Sequence, residues 1–313
     1  MTERFIGSCW WRGKVVVEML KQMLDRFPSI GCAYVDGAGK VNTEYYGADE
    51  NTVFPAASMS KFVTALCLMK LHEDRVIDID TPVNAWLKQW KLRTPDGQES
   101  NANLRSIMSH TAGIVDGEDG FYGECAEISL MDILEGRTAY NNRPVRAEKP
   151  QGTAFEYSDA GYCVLQLLVE EVTGQTFQKA LGEIVFDRLS LESACHAGCP
   201  DLAGAGLWIT PREMLVLGKT FVESLDGKSG FLRAETAREM SKSVTQFPWT
   251  GLGVFVSGED TLMTQGWSEN GQCMMKMNCR TGAVSVVMTN RNPEMDQSES
   301  GVEWLCDRNL RSC

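Results

Sequence analysis

The stretch that most constrains the fold is residues 58–73, which are apolar on nearly every face of a helix. A helix on a protein surface has a polar face, whereas a helix that is apolar all round is buried in a large core. The chain has 313 residues, and a chain of this length buries roughly 75% of the surface that its unfolded form exposes. We therefore predict a globular protein with this helix near its centre.

Short strand-like runs lie at both ends of the chain. The runs at 30–36 and 40–46 meet at Asp36-Gly37-Ala38-Gly39, a combination typical of a hairpin turn. Four more strand-like runs follow near the C-terminus, at 250–256, 260–266, 272–278 and 283–289. An antiparallel sheet that takes strands from both chain ends accounts for this order.

Helical periodicity covers most of the centre of the chain and both termini. The predicted helices are residues 14–26, 129–135, 160–173, 176–187, 211–225 and 295–311. We predict a fold of the α/β plus all-α class, in which an antiparallel sheet flanked by helices carries an inserted helical domain. Residues 1–75 and 246–313 would form the sheet domain, and residues 76–245 would form the helical domain. The terminal helices would cover one face of the sheet and the 58–73 helix the other, and the cleft between the domains would bind ligand.

The charge and the cysteines exclude several classes of protein. The formal net charge is −12, from 30 Lys and Arg against 42 Asp and Glu, so a nucleic-acid partner is not expected. No apolar run approaches the ~20 residues of a membrane span, and the first residues lack the apolar segment of a signal peptide. The 11 cysteines have irregular spacings, and Cys67 and Cys163 lie in apolar runs, as in a reducing compartment. These features predict a cytoplasmic protein with no membrane partner.

Metal and cofactor motifs are incomplete in this sequence. Cys195, His196 and Cys199 could supply three ligands, but a structural zinc site needs four. Gly227-Lys228-Ser229 resembles the end of a phosphate-binding loop, although Val222 stands where that loop requires its first glycine. We therefore expect neither a metal nor a cofactor.

A serine and a lysine at the start of the central helix form the first candidate site. Ser58 and Lys61 are three residues apart, which places both on one face of a helix and close enough to share a proton. The helix N-terminus offers positive potential and free N–H groups that favour an oxyanion. Burial should lower the pKa of Lys61, so that its amine could activate Ser58 as a nucleophile. The alternative is a capping serine beside a solvated lysine.

The second candidate element is the run Tyr-Ser-Asp-Ala-Gly-Tyr at 157–162, which precedes an amphipathic helix. Tyr157 could transfer protons as a phenol or a phenolate near a cationic group. The same run is also a typical helix start, with Ser158 or Asp159 as the capping residue and Tyr157 as the apolar residue before it. Both interpretations can hold together.

Together these motifs resemble the class C β-lactamase family of serine hydrolases, which includes D-alanyl-D-alanine carboxypeptidases and esterases. The similar runs occur in family order, at residues 54–61, 78–83, 104–113, 157–162, 204–211 and 286–290. The resemblance implies the fold predicted above and a covalent acyl-enzyme. Ser58 would be the nucleophile, Lys61 its proton partner and Tyr157 the general acid and base. The Ser58 backbone N–H would form half of the oxyanion hole, and His110 would orient loops.

The resemblance is incomplete at two places. The family's third motif is Lys-Thr-Gly or His-x-Gly on a strand beside the cleft, and the best match is Thr264-Gln265-Gly266 followed by Trp267. No cation occupies its first position. Arg280-Thr281-Gly282 is closer in letters but falls in a predicted turn. Asp159 stands where the family has Asn, so an acceptor replaces a hydrogen-bond donor. By the resemblance, Asp159 and residues 264–267 would contact the substrate and complete the oxyanion hole.

The predicted function is a serine hydrolase that cleaves an ester or amide bond of a small acyl or peptide-like substrate. The loss of positive and donating groups at the site disfavours substrates that carry a carboxylate, such as β-lactams. We therefore expect weak or no β-lactamase activity and a neutral or amine-bearing substrate. One alternative is an acyltransferase on the same scaffold. Another is a catalytically silent, penicillin-binding-like sensor or binding protein, which the altered third motif suggests.

Overall fold

The structure is a computed structural model that describes residues 16–36, 38–117, 120–121, 128–196, 202–243 and 246–311. A helix, α1 (residues 16–26), comes first and is followed by a hairpin of β1 (Ile30–Val35) and β2 (Val41–Tyr46). A two-residue strand, β3 (Phe54–Pro55), leads through a 3-10 turn (Ala57–Met59) into the central helix, α2 (Ser60–Glu73).

The middle of the chain is mostly helical, as the sequence predicts. Its first helices are α3 (Leu104–Met108), α4 (Leu130–Leu134), α5 (Asp159–Thr173), α6 (Phe177–Leu181) and α7 (Asp187–Leu189). Two short strands follow, β4 (Cys195–His196) and β5 (Leu207–Ile209), and then α8 (Pro211–Leu225) and α9 (Ala234–Ser241). The last elements are β6 (Phe255–Gly258), β7 (Thr261–Ser268), β8 (Gly271–Asn278), β9 (Val284–Thr289), α10 (Gln297–Ser300) and α11 (Val302–Leu310).

The main sheet has six antiparallel strands in the order β2-β1-β9-β8-β7-β6. Strand β1 pairs with β2 on one side and with β9 on the other, so Val35 lies opposite both Val41 and Val284. The predicted sheet built from both chain ends is therefore confirmed. A second sheet, β3-β5-β4, was not predicted, because strands of two or three residues are too short to show an alternating pattern.

The terminal helices cover one face of the main sheet, as predicted. Met23 of α1, Phe27 directly after α1 and Leu305 of α11 are fully buried in one cluster with Val287 of β9. These side chains remove a continuous apolar surface from water, which is the main favourable contribution to folding.

The opposite face of the sheet is covered by α8, which contacts β1, β8 and β9. Gly218 allows this close approach, because a side chain there would place its Cβ 2.5 Å from Met275 Sδ. The helix predicted at 58–73 meets β7 and β8 through the 3-10 turn Ala57–Met59. The remainder of this helix, α2, packs against α8 rather than the sheet, and the rings of Phe62 and Phe221 meet there edge to face at 5.6 Å.

Helix α2 is buried around its whole circumference, which confirms the central helix predicted from residues 58–73. Its burial includes Lys61, which is only 3% exposed and must therefore have polar partners. Among the described helices, none is long and apolar enough to cross a lipid bilayer. No disulfide joins the described cysteines, and Cys67 and Cys163, which lie in apolar runs of the sequence, are buried.

Three predicted elements are interrupted or begin at a different residue in the structure. The helix predicted at 176–187 is divided by a π-helical turn, Gly182–Phe186, between α6 and α7. The helix predicted at 295–311 is interrupted at Gly301, whose φ of 97° separates α10 from α11. The strand predicted from residue 250 begins only at Phe255, because Gly253 N donates instead to the Met108 carbonyl of α3.

Candidate active site

Ser58 lies in the 3-10 turn that precedes α2, and this turn is held tightly on both sides. Ala57 has a φ of 44°, in the left-handed region, which costs about 1–2 kcal/mol for a residue with a side chain. Ala56 N donates to Leu207 O at 2.8 Å, and Cys273 Sγ donates to Ala56 O at 3.0 Å. These contacts fix the strained turn and present the half-buried Ser58 side chain to the cleft.

Lys61 lies one turn further along α2, and its ammonium group has three hydrogen-bond partners. Nζ donates to Ser58 Oγ at 3.0 Å, to Asp159 Oδ1 at 2.5 Å and to Gly204 O at 2.9 Å. An ammonium group carries three N–H donors, so these contacts satisfy all of them. The structure therefore joins Ser58, Lys61 and Asp159 in one chain of hydrogen bonds.

The charge of Asp159 reverses the pKa shift that burial alone would produce at Lys61. Burial is the largest single influence and lowers the pKa, as expected. The Asp159 carboxylate and the Tyr157 hydroxyl act in the opposite direction, and together they raise the pKa above its usual value. The prediction of a lowered pKa is therefore wrong, because it considered Lys61 without its partner, and Lys61 is an ammonium ion at neutral pH.

Tyr157 completes this group of side chains. Lys61 Nζ lies 4.9 Å from the centre of the Tyr157 ring, and the phenol interacts with both the Ser58 and Lys61 side chains. The residue is 41% exposed through its ring, but its hydroxyl is buried among these partners. Burial raises the pKa of Tyr157, although the Lys61 charge opposes this, so the phenol is protonated at neutral pH.

His110 supports the segment that carries Tyr157. Its Nδ1 accepts a hydrogen bond from Ser158 N at 3.1 Å, its carbonyl accepts from Glu156 N at 2.8 Å, and its ring lies 4.4 Å from the Tyr157 ring. Burial and the Lys61 charge lower the pKa of His110 to about 3, so its imidazole is neutral. This geometry matches the loop-orienting role expected from the sequence.

Asp116 is a residue of this site that the sequence analysis missed. Its carboxylate accepts from Ser158 Oγ at 2.7 Å, from Asp159 N at 2.7 Å and from Ala160 N at 3.1 Å. Burial and the neighbouring Asp159 raise the pKa of Asp116. No local pattern marks this role, since Asp116 is 42 residues before Ser158. The one available signal was the need of the α5 N-terminus for hydrogen-bond acceptors.

Strand β7 passes directly beside the Ser58 turn. Thr264 and Gln265 line the cleft together with Ser58. Gly266 allows the close approach, because a Cβ at this position would lie 2.4 Å from Ala56 O. Trp267 follows on β7 with its side chain 44% exposed, and it is not among the residues that line the cleft.

Arg280-Thr281-Gly282, the second match to the third motif, lies in the turn between β8 and β9. Arg280 Nε pairs with Asp260 at 2.9 Å, and the Arg280 side chain is mostly exposed to solvent. Within the described part of the chain, only the run 264–267 therefore occupies the strand position that the family pattern requires.

The cleft around Ser58 is narrow and has few charges. It is lined by Ser58, Lys61, Met108, His110, Tyr157, Thr250, Gly253, Val254, Phe255, Thr264 and Gln265. Its enclosed part holds about 10 Å³, which is room for one water molecule. Lys61 is the one cation among these described lining residues, and all three of its N–H donors are already bound.

No group of three or more acidic, cysteine or histidine side chains suited to a metal ion occurs in the part of the chain that the structure describes. The possible ligand set of Cys195, His196 and Cys199 reaches into residues 197–201, which lie outside the described residues.

A sequence profile for the family described as Beta-lactamase matches residues 16–304, nearly the whole chain. The chain belongs to the beta-lactamase family. D-amino acid amidase from Ochrobactrum anthropi SV3, a solved structure, superimposes with a TM-score of 0.74 over 95% of this chain and 99% of that chain. Its sequence identity to this chain is 18%, so the likeness shows a shared fold. These results confirm the predicted fold class and the resemblance to this family.

Two curated relatives match part of this beta-lactamase family chain. Esterase EstB of Burkholderia gladioli is 28% identical over 45% of this chain and 38% of its own length. Teichoic acid D-alanine hydrolase of Staphylococcus aureus is also 28% identical, over 45% of this chain and 32% of its own length. The matches thus span about a third of each relative's length.

Proposed function

We propose that this protein is a serine hydrolase that cleaves ester or amide bonds through a covalent acyl-enzyme on Ser58. The observation that carries the proposal is the position of Lys61 Nζ, which bonds both the Ser58 hydroxyl and the Asp159 carboxylate. A nucleophile, a proton carrier and a proton acceptor are thereby in contact. The names of the two curated relatives, an esterase and a D-alanine hydrolase, support the same class of reaction.

In the acylation step, Ser58 Oγ attacks the substrate carbonyl carbon and forms a tetrahedral oxyanion. The Ser58 proton passes to Lys61 while Lys61 passes one of its own protons to Asp159. This exchange is needed because Lys61 begins as an ammonium ion and cannot accept a fourth proton. Asp159 thus makes it possible for a buried, charged lysine to act as the partner of the nucleophile.

In the next step, the bond to the leaving group breaks and Tyr157 donates its proton to the departing oxygen or nitrogen. Tyr157 then recovers a proton from Lys61, and Lys61 recovers one from Asp159. Ser58 is now acylated, and the other three groups have returned to their initial states. A water molecule attacks the acyl carbon by the same route in reverse, and Ser58 leaves with the returned proton.

The oxyanion would be held by backbone N–H groups at the point where β7 passes the Ser58 turn. One donor would be Ser58 N, at the start of the α2 segment, and the other an N–H within residues 264–267. The close approach of Gly266 to Ala56 supports this pairing, since it brings the strand to the turn. One such donor typically contributes about 2.7–4 kcal/mol of transition-state stabilisation.

We further infer that the substrate is neutral or carries an amine rather than a carboxylate. Lys61 has no unused donor, Thr264 stands where the family has a cation, and Asp159 adds a negative charge. A carboxylate entering this cleft would lose its hydration without a cationic partner. Residues 264–266 and Asp159 are therefore proposed as substrate contacts for a neutral or amine-bearing group, and β-lactams as poor substrates.

A covalent probe tests the acyl-enzyme directly. The wild-type protein, Ser58→Ala and Ser257→Ala are treated with a fluorophosphonate, and the adduct is located by peptide mass spectrometry. Ser257 is an exposed serine on β6 and serves as the matched control. We expect labelling at Ser58 in the wild-type protein and in Ser257→Ala, and none in Ser58→Ala. Absence of label in the wild-type protein, under conditions that label a known serine hydrolase, would favour a binding protein.

Steady-state kinetics on the same preparations test the reaction and the substrate. A neutral ester should have a kcat/KM roughly 100-fold above that of a cephalosporin, the factor expected when one charge-assisted hydrogen bond is missing. Comparable values for both substrates would contradict the substrate assignment. Labelling of Ser58 with turnover only after addition of an alcohol or amine would identify an acyltransferase instead.

A further inference from the structure

Partly exposed aromatic side chains extend from the cleft beyond Tyr157. We call Phe155, Phe247, Trp249 and Phe255 the aromatic wall. Ring centres are separated by 5.4 Å between Phe247 and Trp249, 6.1 Å between Phe155 and Trp249, and 6.4 Å between Phe155 and Phe255. These distances are typical of favourable aromatic pairs. The four side chains therefore form one connected surface.

The aromatic wall begins at the proposed catalytic residues. Phe255 lines the same cleft as Ser58. The His110 ring lies 4.4 Å from Tyr157, 5.9 Å from Phe155 and 6.4 Å from Phe255. A continuous path of rings thus leads from Tyr157 through the neutral His110 to the outer end of the wall at Trp249.

Hydrogen bonds to backbone carbonyls hold the outer part of the wall in place. Val256 N donates to Trp249 O at 2.9 Å, which sets Trp249 beside the start of β6. Thr250 Oγ1 donates to Ser109 O at 3.1 Å and anchors the same segment to the end of α3. The surface is therefore formed before any ligand arrives, which reduces the entropy lost on binding.

The distribution of exposed aromatic residues supports a ligand surface at this place. Among the described residues, the most exposed large aromatic side chains are Tyr157, Trp249 and Trp267, each more than 40% exposed. Tyr157 and Trp249 lie at the two ends of the path of rings, and Trp267 lies on β7, the strand beside Ser58. Connected apolar surface in water is unfavourable, so it is typically kept where something binds.

We propose that the aromatic wall binds the leaving group of the substrate and selects esters or amides whose departing alcohol or amine carries an aromatic ring. The inference rests on the proposed function, because Tyr157 defines the leaving-group side as the group that donates a proton to it. A ring that follows the scissile bond past Tyr157 would meet Phe255 and Phe155 first and Trp249 last. Each contact would be made by a surface that is already in position.

Two esters with the same acyl group test the proposal. Methyl acetate and benzyl acetate are hydrolysed under pH-stat titration, so that neither the acyl group nor a chromophore adds a second ring. In the wild-type protein, kcat/KM should be about tenfold higher for benzyl acetate, as expected for added aromatic contacts. Trp249→Ala and Phe247→Ala should each remove most of this preference and leave methyl acetate hydrolysis within about twofold of wild type.

Val76→Ala provides the matched control, since Val76 is exposed to a similar degree but follows the far end of α2, about 20 Å along the helix from Ser58. It should retain the full preference for benzyl acetate. Methyl acetate hydrolysis also reports whether each variant is folded. As a second measurement, benzyl alcohol should inhibit methyl acetate hydrolysis competitively in the wild-type protein and more weakly in Trp249→Ala.

Two results would overturn the wall assignment and leave the proposed function intact. One is an equal kcat/KM for both esters in the wild-type protein, and the other is an equal loss on both esters in Trp249→Ala. A wild-type protein that hydrolyses neither ester, like Ser58→Ala, would overturn the proposed function and with it this inference.

Discussion

Asp159 changes the proton chemistry of the candidate site more than any other single residue. Its Oδ1 lies 2.5 Å from Lys61 Nζ, at a position where the class C β-lactamase pattern has an amide. An amide carries no charge and could not hold the lysine in its protonated form, whereas a carboxylate does. The site therefore begins with an ammonium ion next to its nucleophile, and Asp159 must take a proton before Lys61 can accept one.

Replacing Asp159 by Asn should convert the site to one with a conventional neutral base. At pH 7, kcat/KM for a neutral ester should fall by about 10²–10⁴-fold, because the proton acceptor is lost. Burial then dominates and lowers the pKa of Lys61, so the neutral amine forms as the pH is raised. The rate of Asp159→Asn should therefore recover towards alkaline pH, and a pH profile of kcat/KM measures this.

Glu156→Gln is the matched control for this experiment. Glu156 lies in the same loop, but its carboxylate pairs with Lys149 and not with Lys61. Its pH profile should match that of the wild-type protein. A loss in Asp159→Asn that is equal at every pH would contradict the proton route, because a displaced loop would produce that result.

At the scale of residues, the sequence predicts the members of the candidate site that share a local pattern. Ser58 and Lys61 occupy one turn of a helix, so their spacing alone brings them together. The protonation state of Lys61 could not be predicted in this way, since Asp159 reaches it from 98 residues away. The same holds for Asp116, whose contacts with the α5 N-terminus depend on tertiary packing.

At the scale of elements, the start of α5 positions the candidate site. Tyr157 precedes the N-cap residue Ser158, and Asp159 is the first residue of the helix. Ser158 Oγ accepts a hydrogen bond from Gly161 N at 2.9 Å. The Asp116 carboxylate accepts from the backbone N–H groups of Asp159 and Ala160. A carboxylate at this end also interacts favourably with the helix dipole. The cap therefore fixes both the helix and the proposed catalytic side chains.

Asp116→Asn should weaken this cap. An amide offers one oxygen, and its NH₂ group would face one of the donors that the carboxylate now accepts. The free energy of unfolding should fall by about 1–3 kcal/mol, as for a buried hydrogen bond left unmade. Urea denaturation measures the loss, and hydrogen exchange should become faster at the Asp159 and Ala160 amides. Because Tyr157 and Asp159 depend on the same cap, kcat/KM should fall as well.

Ser129→Ala separates the loss of stability from the loss of activity, because Ser129 caps a different helix, α4, by accepting a hydrogen bond from Asp132 N. It should lower the free energy of unfolding by about 1 kcal/mol and leave ester hydrolysis unchanged. If Asp116→Asn behaves in the same way, Asp116 is a helix cap without influence on the site.

Long elements with clear ends were predictable from the sequence, but their placement was not. Helix α8 has the predicted bounds, because Thr210 is a typical N-cap and Pro211 a typical first residue. Its contact with the sheet depends on Gly218, and a single glycine in a helix does not reveal which surface it will face. The sequence therefore predicted both α2 and α8 but not that α8 covers this face of the sheet.

At the scale of the whole molecule, the candidate site exists only when distant parts of the chain have come together. Strand β1 pairs with β9, so that Ile30 lies opposite Thr289. Ser58 follows the hairpin β1-β2 at the start of the chain, while residues 264–267 lie on β7, a C-terminal strand of the same sheet. The stability of the whole fold is therefore linked to the state of groups buried at the site.

The pKa of His110 makes the link between stability and the buried site measurable. Its pKa is lowered to about 3 in the folded protein, against a usual value of about 6.5 in an unfolded chain. Below pH 6.5 the unfolded chain binds a proton that the folded protein does not, so stability is complete above pH 6.5 and declines as the pH falls towards 3. Each pH unit within this window corresponds to about 1.4 kcal/mol.

His110→Asn should remove this part of the acid sensitivity. Asn tolerates the positive φ of 60° at this position, and its side-chain oxygen can accept from Ser158 N in place of the imidazole. Between pH 7 and pH 5, urea denaturation should show that the wild-type protein loses about 2 kcal/mol more than the variant. Equal losses in both proteins would mean that His110 accepts a proton without unfolding the chain, and the neutral imidazole assigned to the site would then be incorrect.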